Sequence, residues 1–230
     1  MCTVSWWRRD GHLSLRFNRD EQKGRPVAEP PAKQNGLLYP KDPQGGGTWI
    51  CVDSRGTIHC LLNYYDADDP IIPQEPRTRG ELPLLSAQNP SPLQAWLNPG
   101  RYPPFHLLRI PLRGPIEHMC WDSHQCFSGP PHAEITHWTT SGWNASEVVR
   151  FRAELFHRMM TEKECSEKAF DDFHRYQDPS RTGFGPRMSR ANARTVSISE
   201  IKVDPKKIFF QYTPVDDEGM LPTHETTLSI

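Results

Sequence analysis

Short runs of alternating apolar and polar residues near the N-terminus predict paired β-strands. An Asp-Gly pair at 10–11 favours a tight hairpin turn, and residues 53–56 supply a second turn. The segment between the two hairpins, 26–47, is rich in proline and glycine and is predicted to be an exposed loop. The strands predicted in this half are 3–7, 12–17, 48–52 and 57–63.

The second half of the chain mixes helical and extended patterns. Prolines recur every few residues from 71 to 104, so only short helices fit there, one of them beginning near 79–82. Apolar residues at helical spacing predict two amphipathic helices, at 146–160 and 163–176. Further strands are predicted at 105–110, 116–121, 133–139, 195–201 and 207–213. We predict one domain over residues 1–213, followed by a polar, poorly ordered tail at 214–230.

Composition limits the kinds of partner. A chain of 230 residues with 36% hydrophobic content and seven tryptophans buries one sizeable core. A formal charge of -1 gives no overall attraction to nucleic acid, and no apolar run of about 18 residues predicts stable membrane insertion. The first residues are too short an apolar run for a signal peptide, so a cytoplasmic location is expected. No feature of the sequence indicates the oligomeric state.

Six cysteines occur without any Cys-x-x-Cys pair, so reduced thiols are expected rather than disulfides. Soft and imidazole side chains are concentrated between 118 and 137. Their spacing is irregular, and the alternation at 134–138 fits paired strands, so neither a metal site nor a cofactor is predicted. The residues concerned are His118, Cys120, His124, Cys126, His132 and His137.

Cys2 directly follows the initiator methionine. If Met1 is removed, one residue carries a thiol, with a pKa near ~8.5, and an α-amine, with a pKa near ~7.7–8.0, which can act as its base. The alternative is that residue 2 is a small side chain tolerated at a translation start. The charged residues that end the first hairpin, at 18–21, are expected to lie close to Cys2, where a carboxylate holds the ammonium group.

Several motifs occur in an order typical of the NRDE family, which includes the eukaryotic transport-and-Golgi-organisation proteins. They are Met1-Cys2-Thr3, Asn18-Arg19-Asp20-Glu21 followed by Arg25-Pro26, Gly46-Gly47-Thr48-Trp49, Leu62-Asn63-Tyr64, Arg79-Gly80-Glu81-Leu82 and Asn192-Ala193-Arg194-Thr195-Val196. NRDE proteins resemble cysteine N-terminal nucleophile (Ntn) hydrolases, a group that includes bile-salt hydrolases and penicillin V acylases. The resemblance implies an α+β fold, a four-layer αββα sandwich of two mainly antiparallel sheets.

The resemblance also implies roles for individual residues. Cys2 matches the nucleophile, Asp20 the carboxylate that contacts the terminal amine, and Asn63 the asparagine that donates to the oxyanion. An arginine near that aspartate is matched by Arg19, which is adjacent, or by Arg16, four residues before it.

Two further positions complete the comparison with the amidase pattern. Arg194 is similar in location to a late arginine of the amidase sites. Asn144 stands in the region of a second amidase asparagine, but Glu147 follows it by three residues, as in a helix capping box. Capping is the favoured interpretation of Asn144.

Two function classes follow, and whether the protein is an enzyme stays open between them. In the first, it is an amidohydrolase that acts on a non-peptide C–N bond of a small-molecule amide, with Cys2 as nucleophile. In the second, it binds and carries a hydrophobic metabolite, such as haem or an acyl-CoA-like lipid, without turnover. Aromatic residues would line the carrier site, among them Trp6, Trp7, Trp49 and Tyr64. A third class, an interaction module, would use the proline-rich segment.

Overall fold

The computed structural model describes residues 2–66, 69–130, 132–162 and 165–230. Contacts among the residues divide the chain into two compact units, each built around one β-sheet with helices packed on it. The first unit comprises the described residues of 1–25, 134–202 and 209–225. The second comprises those of 26–133, 203–208 and 226–230.

Six strands form the first sheet. They are β1 (Cys2–Arg9), β2 (His12–Gln22), β10 (Ile135–Thr140), β11 (Ala193–Val203), β12 (Lys207–Pro214) and β13 (His224–Ser229). Their order across the sheet is β10-β1-β2-β11-β12-β13, and β1 pairs antiparallel with both β10 and β2. The predicted N-terminal and C-terminal hairpins are therefore confirmed.

Two helices pack on the first sheet, α3 against β10 and α4 against β2. They are α3 (Ala145–Glu162) and α4 (Glu167–Arg175). The Phe156 ring of α3 lies edge-on to Phe170 and Phe173 of α4, with centroid distances of 5.7 and 5.1 Å. This aromatic cluster removes a large apolar area from water and fixes the helix pair.

Seven strands form the second sheet, an antiparallel meander in chain order. They are β3 (Glu29–Gln34), β4 (Leu37–Lys41), β5 (Ile50–Asp53), β6 (Ile58–Asn63), β7 (Phe105–Ile110), β8 (Glu117–Trp121) and β9 (Cys126–Ser128). The short helices α1 (Leu82–Gln88) and α2 (Leu93–Trp96) contact this sheet, and 3-10 turns occupy Arg79–Glu81 and Pro99–Arg101. The proline-rich segment therefore forms short helices, as predicted.

The prediction of an exposed loop at 26–47 is wrong over much of its length, because β3 and β4 form a hairpin there. Their turn is Asn35-Gly36, with φ angles of 51° and 77°, the left-handed geometry of a tight hairpin turn. Pro30 and Pro31 are tolerated in β3 because it lies at the edge of the sheet.

The predicted helix pair is confirmed, with one boundary that differs. The predicted start of the second helix, Lys163, lies outside the described residues. Helix α4 begins at Glu167, where the Ser166 side chain accepts a hydrogen bond of 3.3 Å from the Ala169 N–H. A serine cap of this kind satisfies one of the N–H groups that a helix start leaves without a partner.

The segment 214–230 differs from the poorly ordered tail that was predicted, since β13 lies within it. The Thr213 and Thr223 hydroxyl oxygens are 2.9 Å apart, and Gln211 Nε2 donates to Glu225 Oε1 at 3.0 Å. An edge strand is held by backbone hydrogen bonds, so a polar sequence can form one. That residues 1–213 form a single domain stays a prediction.

The two sheets and their helices confirm the predicted α+β class. Most of the antiparallel pairs join strands that are consecutive in the chain, which is the usual arrangement of hairpins and meanders. Within the described part of the chain, no helix is both long enough and apolar enough to span a membrane.

Candidate active site

The N-terminal hairpin places Cys2 beside β2. Its two-residue turn has φ angles of 53° at Asp10 and 76° at Gly11, which fixes the register of the strands. In that register Cys2 pairs directly with Arg19 on one side and with Thr140 on the other. Directly paired residues project to the same face of a sheet, so the Cys2 thiol and the Arg19 side chain share one face.

The Cys2 thiol ionises less readily than an ordinary thiol. Burial raises the pKa of Cys2, and the Asp20 carboxylate raises it further. A backbone hydrogen bond from Asp20 and the charge of Arg19 lower this pKa, but they do not outweigh burial. For the sulfur to act as a nucleophile, a nearby base has to remove its proton.

Asp20 is a buried carboxylate whose two oxygens differ in their surroundings. Oδ1 accepts a hydrogen bond of 2.6 Å from Thr195 Oγ1. Oδ2 lies 3.5 Å from Nη1 of Arg152 and has no hydrogen-bond partner among the described residues. Burial raises the pKa of Asp20, while Arg152 and Thr195 act to lower it. A buried carboxylate oxygen without a donor is uncommon and marks a place where a further donor fits.

Arg152 is a fully buried partner of Asp20 that was not among the predicted site residues. Its Nη1 donates to Thr3 Oγ1 at 2.6 Å, and its Nε donates to the Phe184 carbonyl oxygen at 2.9 Å. Arg152 stands one helical turn after Val148 on the buried face of α3. The sequence does contain this signal, because an arginine at an inward-facing helical position needs a buried partner.

The two candidate arginines of β2 have different environments. Arg19 lies opposite Cys2, with its Nη2 atom 3.5 Å from Glu21 Oε2. Arg16 lies opposite Ser5 and is buried among three carboxylates of the first unit. These are Glu167, Asp171 and Glu200, at 2.6, 2.8 and 3.0 Å. The structure therefore brings Arg19, and not Arg16, beside Cys2.

Asn18, which begins the Asn-Arg-Asp-Glu motif, has a structural role. Its Nδ2 donates to the carbonyl oxygens of His174 and Pro186, both at 2.8 Å. Its Oδ1 therefore accepts from His174 Nδ1 at 2.7 Å, and His174 Nε2 accepts from Ser5 Oγ at 2.6 Å. Burial keeps the pKa of His174 well below its ordinary value, so the ring is neutral. This network joins β1 and β2 to α4.

Asn63 belongs to the second unit, where it ends β6 opposite Phe105. Its Nδ2 donates a hydrogen bond of 2.8 Å to the hydroxyl of Tyr65. The side-chain amide is half-buried and keeps a second N–H, because a primary amide has two donors.

Arg194 pairs with Asp217, and its Nη1 lies 2.7 Å from Asp217 Oδ2. The next residue, Thr195, contacts Asp20 instead, as the alternation of side chains along a strand requires. Arg194, Thr195 and the turn at 215–219 line a cleft of about 210 Å³ in the first unit. The motif around Arg194 thus contributes Thr195, rather than the arginine, to the surroundings of Asp20.

Asn144 directly precedes α3, as the capping interpretation requires, and its carbonyl oxygen accepts from the Val148 N–H at 2.9 Å. Its φ angle is 42°, whereas the residue before a helix ordinarily has an extended backbone. The predicted helix start is confirmed, and the side-chain half of the capping box with Glu147 stays a prediction.

Three potential metal ligands lie together in the second unit: His106, His118 and Cys120. Two of them belong to the cysteine- and histidine-rich stretch of the sequence, whereas His106 lies outside it. His137, from the same stretch, belongs to the first unit, where its ring stacks on Phe156 at a centroid distance of 4.7 Å.

Comparison with known proteins identifies the family and the fold. A model of the family described as Transport and Golgi organisation 2 matches residues 1–207. No curated protein gives a significant match to the sequence.

Solved structures share this fold at low sequence identity. Penicillin V acylase from Agrobacterium tumefaciens is 9% identical and has a TM-score of 0.59, with 100% of this chain and 86% of that chain covered. A variant of the conjugated bile acid hydrolase from Clostridium perfringens is 11% identical, with a TM-score of 0.54 and coverages of 100% and 92%. The Caenorhabditis elegans ortholog of N-acylethanolamine-hydrolyzing acid amidase is 10% identical, with a TM-score of 0.50 and coverages of 87% and 92%. This likeness confirms the predicted Ntn-hydrolase-like fold.

Proposed function

The chain belongs to the Transport and Golgi organisation 2 family, and we propose that it is an amidohydrolase that cleaves a non-peptide C–N bond, with Cys2 as its nucleophile. Solved enzymes of the same fold include an acylase, a bile acid hydrolase and an amidase, which supports this class of reaction. The proposal requires removal of Met1, so that Cys2 carries a free α-amine.

The observation that supports this proposal most strongly is the Oδ2 atom of Asp20. It is buried, it lacks a hydrogen-bond donor among the described residues, and it belongs to the strand that pairs with the one beginning at Cys2. An α-ammonium group on Cys2 would supply the missing donor in a charge-assisted hydrogen bond. The same contact would lower the pKa of Asp20 and keep the carboxylate ionised.

The proposed reaction uses the Cys2 amine as the base. The neutral amine accepts the proton of the thiol while Sγ attacks the carbonyl carbon of the substrate. The tetrahedral intermediate then breaks its C–N bond, and the leaving amine takes the proton from the α-ammonium group. A thioester remains on Cys2. Water, losing a proton to the same amine, adds to the thioester and releases the carboxylic acid with the thiol restored.

Other residues are assigned supporting roles. Arg19 lowers the pKa of the thiol and so favours the thiolate that forms during attack. Asn63 is proposed to donate its amide N–H to the oxyanion, an interaction worth about 3–4 kcal/mol in comparable acyl-transfer sites. Arg152 and Thr195 are positioning residues that hold Asp20. Arg194 is proposed to supply a positive charge at the cleft of the first unit.

The aromatic residues named for a carrier site are already used in packing. Trp6 and Trp49 are buried, and Trp7 packs in the aromatic cluster beside α3 and α4. The Tyr64 ring lies 4.8 Å from that of His106. These contacts favour catalysis over carriage of haem or an acyl-CoA-like lipid.

The test is a turnover assay that detects amine release from N-acylethanolamines, conjugated bile acids and penicillin V. We expect one of these amide classes to be hydrolysed. Cys2→Ala should abolish the activity, and Cys2→Ser should retain only a small fraction of it, because the hydroxyl is the weaker nucleophile. Cys126→Ala, which removes an exposed cysteine of the second unit, is the matched control and should retain activity. Turnover that survives in Cys2→Ala would exclude the mechanism.

A further inference from the structure

The hairpin of β7 and β8 brings two histidines and a cysteine onto one face of the second sheet. His106 of β7 pairs directly with Cys120 of β8. Two residues further along β7, Leu108 pairs with His118. Residues two apart on a strand share a face, so His118 and Cys120 project to the same side as His106. A His-x-Cys sequence opposite a histidine is therefore a compact group of three donors.

The three donor atoms converge on one point. His106 Nδ1 lies 3.0 Å from His118 Nε2 and 3.2 Å from Cys120 Sγ, and His118 Nε2 lies 3.4 Å from Cys120 Sγ. In tetrahedral zinc sites, with Zn–N near 2.0–2.1 Å and Zn–S near 2.3 Å, donor atoms are about 3.3–3.6 Å apart. A movement of a few tenths of an ångström would admit the ion. All three side chains are buried, so little rearrangement entropy is lost on binding.

His132 contacts the ring nitrogen of His118 that does not face His106 and Cys120. The Nε2 atom of His132 lies 2.9 Å from His118 Nδ1, and the two rings stack at a centroid distance of 5.0 Å. Histidines that bind a metal through one ring nitrogen usually donate the N–H of the other to such a partner. With the proton on Nδ1, the Nε2 lone pair of His118 points toward His106 and Cys120.

Gly129 leaves room for the His118 ring, because glycine has no Cβ atom. Its N–H donates to the His118 carbonyl oxygen at 2.8 Å, and a Cβ at this position would lie 2.1 Å from His118 Nδ1. His118 and Gly129 also line a cleft of about 390 Å³ in the second unit.

From this geometry we infer that His106, His118 and Cys120 bind a thiophilic transition-metal ion, Zn²⁺ or Cu⁺. Thiolate and imidazole donors select these ions over Mg²⁺ and Ca²⁺, which prefer oxygen. Binding replaces the Cys120 S–H bond by an S–metal bond, and the proton leaves to solvent. With Zn²⁺ the site keeps a fourth tetrahedral position for water or an anion, whereas Cu⁺ with one thiolate and two neutral imidazoles forms a complex without net charge.

The site is independent of the proposed reaction at Cys2, since all of its ligands belong to the second unit and no step of the hydrolysis uses them. Loss of the metal would therefore leave the Cys2 chemistry as proposed, and failure of either proposal is distinguishable from failure of the other.

The test uses the full chain, stripped of metal with a chelator and titrated with Zn²⁺, or with Cu⁺ under anaerobic reducing conditions, against a chromophoric competitor. We expect one equivalent of tight binding for at least one ion. Cys120→Ser should weaken it about 100-fold or more, and His132→Ala about 10- to 100-fold. Cys126→Ser, an exposed cysteine six residues further along the chain, is the matched control and should bind as the wild type does.

Cobalt substitution supplies a second readout, which is made first on the wild-type protein. Wild-type protein loaded with Co²⁺ should show a thiolate-to-cobalt charge-transfer band that is retained in Cys126→Ser. Tight binding of Zn²⁺ or of Cu⁺ supports the inference and identifies the ion. Failure of both Zn²⁺ and Cu⁺ to bind, or an equal loss in Cys120→Ser and Cys126→Ser, would overturn it. Tight binding of Zn²⁺ alone, with a Co²⁺ spectrum that lacks the thiolate band, would overturn it as well.

Discussion

Thr195 Oγ1 donates a hydrogen bond of 2.6 Å to Oδ1 of Asp20. Two motifs that are far apart in the sequence therefore meet inside the first unit. The same hydroxyl oxygen accepts from the Met188 N–H at 2.9 Å. Thr195 thereby fixes one oxygen of the carboxylate and leaves the other, Oδ2, for a donor that we assign to the Cys2 amine.

Removing this hydroxyl should destabilise the protein. Thr195→Val keeps the shape of the side chain but leaves the Asp20 oxygen and the Met188 N–H without their partner, at a cost of about 1–3 kcal/mol for each buried group. Thr195→Ser keeps the hydroxyl and is the control. Urea denaturation measures the difference, and equal stability of the two variants would contradict the assigned role.

Removing the buried guanidinium should have a larger effect. Arg152→Met removes the buried guanidinium that pairs with the buried Asp20 carboxylate, and we expect a loss of about 3–5 kcal/mol in the free energy of unfolding. Arg150→Met is the control, because Arg150 is 73% exposed on the same helix. It should change stability by no more than about 0.5 kcal/mol.

The double variant Asp20→Asn with Arg152→Met tests the pairing directly. If the two residues interact as described, it should be less destabilised than the sum of the single variants. Additive effects in this thermodynamic cycle would contradict a direct interaction between the two side chains.

Asn63→Ala should lower kcat more than it raises KM if, as we propose, the amide acts on charge that develops in the transition state. A loss of about 10²–10³ in kcat is the size expected for one oxyanion donor. Asn63→Asp has the same shape but cannot donate when ionised, and it should lose a similar factor. Steady-state kinetics on the amide found in the substrate screen measures both values, and a change confined to KM would assign Asn63 to substrate binding alone.

The second unit should show acid-dependent stability through Asp53. Burial acts to raise the pKa of Asp53, but the His59 ring, whose Nε2 lies 3.7 Å from Oδ2, and hydrogen bonds from Thr57 and Arg55 outweigh it and lower the pKa to about 2. The folded state thus favours the carboxylate, and its contribution is present above the ordinary pKa of 3.8 and lost as the pH falls toward 2.

Asp53→Asn should therefore cost about 2 kcal/mol at pH 7. The difference from wild type should shrink between pH 4 and pH 2. Glu75→Gln, at an exposed position, is the control. Chemical denaturation across this pH range is the measurement, and a difference that does not depend on pH would show that Asp53 acts through shape alone.

Local sequence signals predicted the elements where turn chemistry and strand pattern agree. The Asp10-Gly11 hairpin and the strand that holds Cys2 follow from such signals. The Asn35-Gly36 turn carries an equally strong signal, but the surrounding prolines concealed it, because proline is excluded only from central strands and β3 is an edge strand. The strand at 224–229 depends on pairing with β12, which its own side chains do not reveal.

The surroundings of Cys2 were predictable only where one hairpin holds both partners. The first hairpin brings Cys2, Arg19 and Asp20 together, and the motif match indicates all three. Arg152 comes from a helix more than a hundred residues away, and its contact with Asp20 depends on tertiary packing. The metal-ligand group likewise became visible only when strand register placed His106 opposite Cys120.

The measurement that tests the central claim most directly is the mass of the N-terminal peptide, before and after the purified protein reacts with an acyl thioester. We predict a peptide that begins at Cys2 and gains a single acyl group, with little labelling of Cys126 and Cys165, the other cysteines that are not buried. A peptide that retains Met1, or acylation spread evenly over the three cysteines, would contradict the assignment of Cys2 as an activated nucleophile.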